Sequence, residues 1–237
     1  MKYIILAAGQ GTRLHPITLD TPKSMFSLDE NTNIIQRIVS LIRKYNSSAE
    51  IIVVTGFMHD QMEKQITGVS LFRNPFYEIT NSIASLWFVR DLLESGDGTV
   101  IMNGDIVMED ALFKDILTIP PNKPTVLIDT SIKHSGDYNV RIKGDKIVVM
   151  SKELTEYDGE YAGVTMIDAE TAKVFANEIK NMVNSGRFNE WYENVLVQMI
   201  FRYDFRLYFR DISEYEWVEV DSVDDLGMAK AIHQQNR

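Results

Sequence analysis

The feature that most constrains this chain lies at its start. Tyr3-Ile4-Ile5-Leu6-Ala7-Ala8 is a continuous apolar run, and Gly9-Gln10-Gly11 follows it directly. An unbroken apolar run of strand length marks a strand covered on both faces. Such a strand belongs to a sheet with helices packed on either side. The pattern repeats: residues 51–55 end at Gly56, residues 69–72 close on Asn74-Pro75, and residues 100–102 lead into Asn103-Gly104-Asp105. Between them Ile34, Ile35, Ile38, Leu41 and Ile42 recur at helical spacing, and residues 61–66 suit a short helix. A further helix is predicted over 82–93, with Ile83, Leu86, Trp87 and Leu93 on its apolar face and Gly96 beyond its end. The alternation predicts an α/β fold: a mixed, mainly parallel central sheet with helices on both faces. Ligands of such sheets bind beyond the carboxyl ends of the strands, where residues 9–13 and Gly104-Asp105 both fall.

The second half has a different texture. Pro120-Pro121 marks a loop. Residues 125–129, 138–142 and 146–150 read as strands, with Gly144-Asp145 as the hairpin turn between the last two. Residues 162–167, 205–209 and 216–220 are further strands, and helices are predicted over 169–183, 190–200 and 223–234. No repeat or linker marks a boundary, so the expectation is one domain over 1–237.

Composition excludes several classes. The formal charge is −10, from 34 acids against 24 Lys and Arg, and no basic block stands out; this argues against a nucleic-acid partner. There is no cysteine, which rules out disulfides, thiolate metal sites and a cysteine nucleophile. The first apolar run is too short for a secretion signal, and no stretch is long enough to span a bilayer. The expectation is a cytoplasmic protein without a membrane partner; its oligomeric state is not readable.

The glycine loop is suited to an anion. Glycines let the backbone turn tightly and bring its N–H groups close. Arg13 adds a fixed charge of bidentate geometry, and Lys23, just after Pro22, supplies a second cation. Leu14 stands where a dinucleotide fingerprint wants its third glycine, and no Gly-Lys-Ser/Thr follows as in a Walker loop. On the residues alone, an ordinary turn with solvated charges is equally open. Asp105, after a buried strand and a glycine, is a metal-ligand candidate or a turn residue. Strand alternation puts Val218 and Val220 on one face and Trp217, Glu219 and Asp221 on the other. Asp221-Ser222-Val223-Asp224 also makes a good helix N-terminus.

A longer match narrows these alternatives. Leu6-Ala7-Ala8-Gly9-Gln10-Gly11-Thr12-Arg13-Leu14-His15-Pro16-Ile17-Thr18, then Thr21-Pro22-Lys23, closely resembles the signature of the sugar-nucleotide nucleotidyltransferase superfamily. Asn81-Ser82-Ile83-Ala84-Ser85-Leu86-Trp87, Trp191-Tyr192-Glu193-Asn194-Val195 and Glu219-Val220-Asp221-Ser222 resemble its bacterial phosphocholine cytidylyltransferase branch, with patchy similarity between about 118 and 157. The resemblance implies a Rossmann-like nucleotidyltransferase fold, Mg²⁺ as cofactor and CTP as nucleotide. It implies a small phosphorylated or phosphonate amine or alcohol as acceptor. Leu6, Ala7, Ala8, Gly9, Gly11, Thr12 and Arg13 would line the nucleotide, with Arg13 and Lys23 neutralising charge during transfer. Asn81 and Ser85, one helical turn apart, would lie near base and ribose. Asp105 and Asp221 would hold the metal, Asp105 also meeting the nucleotide.

Lys152, Trp191, Tyr192, Glu193, Trp217 and Glu219 are the acceptor candidates, mainly within 150–222; aromatic faces and acids suit an ammonium group. Several have a second reading. Asn81 is a good helix N-cap, Trp191 and Tyr192 fit a helix packed on the core, and Lys152 fits a solvated surface lysine. Choline-type members carry Tyr-Trp-Asp where this chain has Trp191-Tyr192-Glu193, and the longer acid points to a primary amine or an acceptor of different reach. The rivals are a sugar-1-phosphate nucleotidyltransferase using UTP, dTTP or GTP, and a catalytically inactive nucleotide sensor.

Overall fold

The structure is a computed structural model that describes residues 1–94, 98–133 and 136–235; Gly96 lies outside them. In chain order the elements are β1 (Lys2–Ala7), α1 (Ile34–Tyr45), β2 (Glu50–Thr55), α2 (His59–Gln65), β3 (Ser70–Arg73), α3 (Ser82–Phe88), α4 (Arg90–Leu93), β4 (Thr99–Asn103), β5 (Ile106–Met108), α5 (Asp110–Leu112), β6 (Thr125–Asp129), β7 (Asn139–Lys143), β8 (Lys146–Ser151), β9 (Gly159–Ile167), α6 (Ala169–Asn184), α7 (Glu193–Tyr203), β10 (Leu207–Asp211), β11 (Trp217–Glu219) and α8 (Val223–Gln235).

The first strand is apolar throughout because it feeds two cores. Tyr3, Ile5 and Ala7 pack with Ile34, Ile38, Phe113 and Ala229 on one face of the sheet. Ile4 packs with Ile83, Leu86, Phe175 and Leu196 on the other. Full burial of each such side chain contributes roughly 1.5–3 kcal/mol, so a polar residue at Ile4 or Ile5 would unsettle one whole layer. α1 starts where it does because Asn33 and Gln36 form a reciprocal capping box.

The large sheet has the order β3-β2-β1-β4-β9-β6-β10-β8-β7. β3, β2, β1 and β4 pair in parallel, as do β6 and β10. The parallel character is concentrated in the first half. β9 runs antiparallel between β4 and β6, and β8 pairs antiparallel with β7 and β10. A tight hairpin such as β7–β8 leaves no other choice. Among the described residues no helix is long and apolar enough to cross a membrane.

Three differences from the expected elements shape the site. The helix predicted over 82–93 breaks at Val89 into α3 and α4. The helix predicted over 190–200 begins only at Glu193, so Trp191 and Tyr192 precede it. The unforeseen β5 pairs antiparallel with β11, forming a small second ribbon. That ribbon carries the chain end back to the β4–β5 turn, where the Val220 N–H donates to the Asp105 carbonyl at 3.0 Å.

Candidate active site

The parallel register sets β1 and β4 side by side, with Leu6 opposite Asn103. The glycine loop and the Asn103-Gly104-Asp105 turn therefore leave the sheet at the same edge. The Gly104 N–H donates to the Leu6 carbonyl at 2.8 Å, and a Cβ at Gly104 would sit only 2.9 Å from that oxygen. Gly11 takes a left-handed φ of 65°, and a Cβ there would lie 2.6 Å from Lys23 Cγ. The loop's glycine thus leaves a channel for the lysine stem. Leu6, Ala7, Gly9, Gly11, Thr12, Arg13, Lys23 and Asp105 line a cavity of about 290 Å³ at this edge.

Four charges meet there. Lys23 Nζ lies 2.8 Å from Asp105 Oδ2 and also contacts Asp221 Oδ1. Arg13 Nη1 lies 2.8 Å from Asp221 Oδ2. The two cations differ in setting: the Lys23 side chain is 12% exposed, that of Arg13 59%. Burial works against the Lys23 ammonium, but Asp105 and Asp221 outweigh it and its pKa is raised. Glu219, two residues before Asp221, accepts from Asn103 Nδ2 at 3.3 Å. Burial and then the neighbouring Asp105 and Asp221 push its carboxyl up to about 8, against the pull of Lys23.

The donor set at Lys23 fits a divalent ion. Its ammonium is already a cation held between the oxygens of Asp105 and Asp221. Among the described residues no group of three or more His, Cys, Asp or Glu side chains is arranged for a metal. Two carboxylates are what Mg²⁺ takes when substrate phosphates and water complete its shell.

A second cavity of about 210 Å³ adjoins the first and shares Leu6, Gly9, Asn81 and Asp105 with it. Its polar wall is built from α3 and the segment after β3. Asn81 Oδ1 accepts from the Ser82 N–H at 2.8 Å, capping α3. Asn74 Nδ2 donates to Ser85 Oγ at 3.1 Å and to Thr80 Oγ1 at 3.0 Å. Trp191, Glu193 and Glu219 close the other end. Glu193 is 4% exposed, and burial pushes its carboxyl up to about 7 while Lys152 opposes the shift. Lys152 Nζ lies 3.6 Å from the Trp191 ring centroid and 2.5 Å from Asp137 Oδ2. A third cavity of about 750 Å³ lies beyond Glu219 and Asp221 and includes Trp217, Asp129 and Asp137 in its wall.

The description "Nucleotidyl transferase" belongs to the family profile that matches residues 2–131, more than half of the chain. The chain belongs to the nucleotidyl transferase family. The match spans the glycine loop, Lys23, Asn81 and Asp105. A choline-phosphate cytidylyltransferase of Streptococcus pneumoniae is 29% identical over 228 residues, covering 95% of each chain. A 2-aminoethylphosphonate cytidylyltransferase of Lancefieldella rimae is 28% identical over 231 residues, covering 94% of this chain and 89% of its own. The solved structure of CTP:phosphocholine cytidylyltransferase from Streptococcus pneumoniae superposes with a TM-score of 0.78 at 24% identity, covering 98% of each chain. That likeness shows the nucleotidyltransferase fold.

In this nucleotidyl transferase the expected nucleotide residues gather at one edge. Leu6, Ala7, Gly9, Gly11, Thr12, Arg13, Lys23 and Asp105 line the first cavity, and Ala8 and Ser85 the second. Asn81 lines both while serving as the N-cap of α3. The acceptor candidates divide. Trp191, Glu193 and Glu219 line the second cavity. Tyr192 does not: it is 0% exposed, and its hydroxyl bonds Tyr161 and, at 3.2 Å, Thr165. The assignment of Tyr192 to the acceptor is corrected on that ground, since a ring sealed in the core meets no substrate. Trp217 lines only the third cavity, where its Nε1 donates to Asp129 Oδ2 at 3.0 Å. Lys152 lines neither the first cavity nor the second; its side chain is 29% exposed and pairs with Asp137, so the surface-lysine reading stands beside the ion pair. Asn74, Tyr77 and Asn103 also line the second cavity, beyond the residues that the sequence singles out. Asn74-Pro75 and Asn103-Gly104 each follow a strand at the sheet's carboxyl edge, and that placement was the available signal.

Proposed function

We propose that this nucleotidyl transferase is a cytidylyltransferase. It moves the CMP part of CTP onto a small phosphorylated or phosphonate amine or alcohol and releases pyrophosphate. The observation that carries the reading is the position of Lys23. Its ammonium is clasped between Asp105 and Asp221 where the two nucleotide-side cavities meet, beneath the glycine loop. Relatives similar over nearly the whole chain are cytidylyltransferases for choline phosphate and for 2-aminoethylphosphonate, which favours CTP over the sugar-nucleotide substrates. An inactive sensor is disfavoured by the retention of Lys23, Asp105 and Asp221 together.

The reaction is an in-line displacement. An acceptor oxygen forms a bond to the α-phosphorus of CTP while the bond to the β-phosphate oxygen breaks, and the electron pair leaves with pyrophosphate. The backbone N–H groups of residues 9–13 cradle the phosphates. Lys23 and Arg13 offset the charge that grows on the leaving group. Asp105 and Asp221 would hold Mg²⁺, which supplies charge neutralisation across the phosphates. The polar groups of Asn81, Ser85 and Asn74 face the nucleoside. A cysteine-free chain suits the reducing cytoplasm as the place of action.

The test is pyrophosphate release from CTP, UTP, dTTP and GTP. Each is paired with phosphocholine, phosphoethanolamine, 2-aminoethylphosphonate and sugar 1-phosphates. CTP should exceed UTP by at least about tenfold, which needs only about 1.4 kcal/mol of discrimination. A sugar 1-phosphate used best, with UTP, dTTP or GTP, would overturn the reading.

A further inference from the structure

Away from the three cavities, one pair of side chains joins the beginning of the chain to its end. His233, near the end of α8, lies through Nε2 2.6 Å from Asp29 Oδ2, and the two side chains are only 11% and 14% exposed. A carboxylate can only accept, so Nε2 carries the hydrogen whether or not the ring is charged. Both segments joined in this way also carry charges of the site. Asp29 follows Lys23 in the chain, and α8 follows Asp221.

Neither end of this tie is loose. The Phe26 N–H donates to the Lys23 carbonyl at 3.0 Å, the Ile34 N–H to the Phe26 carbonyl at 3.2 Å and the Leu28 N–H to the Thr32 carbonyl at 2.8 Å. Asp29 Oδ1 accepts from the Asn31 and Thr32 N–H groups at 2.7 and 2.8 Å, while its Oδ2 faces His233. At the start of α8 the Asp225 N–H donates to Ser222 Oγ at 3.1 Å, and Asp225 Oδ2 accepts from the Asp221 N–H at 3.0 Å. Asp225 thus fixes the backbone from which the Asp221 carboxylate projects. From Ser222 to His233 the helix is a rod of about 16 Å. It has few anchors of its own: only Ala229, Ile232 and His233 are buried on it, and Gly227 in its middle is a weak helix former. A helix so lightly seated, starting beside a carboxylate of the site, needs a tie at its far end to keep that carboxylate still.

We propose that His233 and Asp29 are positioning residues, whose bond seats α8 so that, through Asp225, the Asp221 carboxylate is held facing Lys23 and Asp105 for a divalent ion. The inference rests on the reading of Asp105 and Asp221 as the metal ligands of nucleotidyl transfer and adds what aims one of them. Groups that orient a ligand from behind never touch the ion, yet their loss typically costs about 10- to 100-fold in metal affinity.

The test reads CTP affinity rather than turnover. Isothermal titration gives the Kd of CTP in EDTA and in Mg²⁺, well below the melting temperature, and the ratio of the two is the gain due to the ion. His233→Leu fills the space but cannot donate. It should cut that gain about tenfold or abolish it, while the Kd in EDTA, set by the glycine loop and the second cavity, stays in place. His233→Gln, whose amide nitrogen can stand in for Nε2, should recover most of the gain. Asp225→Ala should lose it and Asp225→Asn keep it, because an amide oxygen still accepts from the Asp221 N–H. A folded His233→Leu protein that melts lower but keeps the full gain overturns the inference. Should that variant not fold, Asp225→Ala reads the same link at the other end of α8, and a full gain there overturns it equally. A gain lost in Asp225→Asn as in Asp225→Ala removes the link through Asp225, since its charge and not its hold on the backbone would then decide. An unmodified protein whose CTP affinity ignores Mg²⁺ overturns the metal reading of Asp105 and Asp221 itself, and this inference with it.

Discussion

Lys23 takes its two carboxylate partners from distant parts of the chain, Asp221 lying 198 residues away. At the sequence level the lysine is legible as a cation after a proline, and its place in a long signature gives it a role. Its partners are not legible, because no local pattern says which strand ends will meet. The physical consequence of the meeting can be tested. Lys23→Ala leaves Asp105, Asp221 and Glu219 facing one another in a partly dry site. Two like charges 4 Å apart repel by about 4 kcal/mol at the effective dielectric near a protein surface. The variant should therefore melt below the parent in chelator and recover part of the loss when Mg²⁺ is added, since another cation can occupy the gap. Turnover should fall by about 10²- to 10³-fold even with the fold intact, because charge stabilisation at the leaving group is lost. A folded Lys23→Ala protein with near-normal turnover would remove Lys23 from the chemistry.

Among the elements, α3 begins at a residue that both caps it and lines a cavity. Asn81 caps the helix by accepting from the Ser82 N–H, and it also stands in the wall of both cavities beside the glycine loop. A carboxamide oxygen has two lone pairs, and its nitrogen has two donors, so capping does not exhaust it. The helix start was readable from the cap. The break at Val89 was not, because apolar spacing runs on through Leu93 and only the tertiary packing of α3 and α4 decides it. The same limit explains Tyr192. Spacing placed it on a helix with Trp191, but the chain there is held by its own N–H donating to Ser82 Oγ at 2.8 Å, and the ring turns into the core. Asn81→Ala should lower stability by about 1 kcal/mol through the lost cap. It should also erode the preference for CTP over UTP, read as the ratio of their kcat/KM values. A variant that melts lower while keeping its CTP preference would leave Asn81 as a cap alone.

Over the whole molecule, β1, β2 and β4 were readable because buried parallel strands are largely apolar and a glycine or an asparagine stands at or just beyond the end of each, while the half-exposed edge strand β3 was marked mainly by the Asn74-Pro75 that closes it. The second half was readable as strands but not as an order. β9 enters between β4 and β6, and nothing in its own residues states that neighbour. Of the β5–β11 ribbon, β11 falls within the strand read over 216–220, but β5 was hidden, because three residues are too few to show a period and so the pairing had no visible partner. That ribbon is nevertheless what unites the site. It brings Asp221, from the end of the chain, to Asp105, from the middle, and Lys23 closes the contact from the start. A ligand that engages both carboxylates therefore ties distant segments together and should stabilise the fold as a unit. CTP with Mg²⁺ should raise the melting temperature, by the equivalent of about 2.7 kcal/mol when the nucleotide is present at a hundred times its Kd. With EDTA the shift should shrink to that of CTP held by Lys23, Arg13 and the loop alone, and turnover should vanish until Mg²⁺ is restored. Asp221→Asn should lose the Mg²⁺-dependent part of the shift while keeping the rest, because one of the two hard oxygen donors has become neutral. Full turnover in EDTA, or an Asp221→Asn protein that still gains the Mg²⁺-dependent stabilisation, would sink the assignment of Asp105 and Asp221 as the ligand pair.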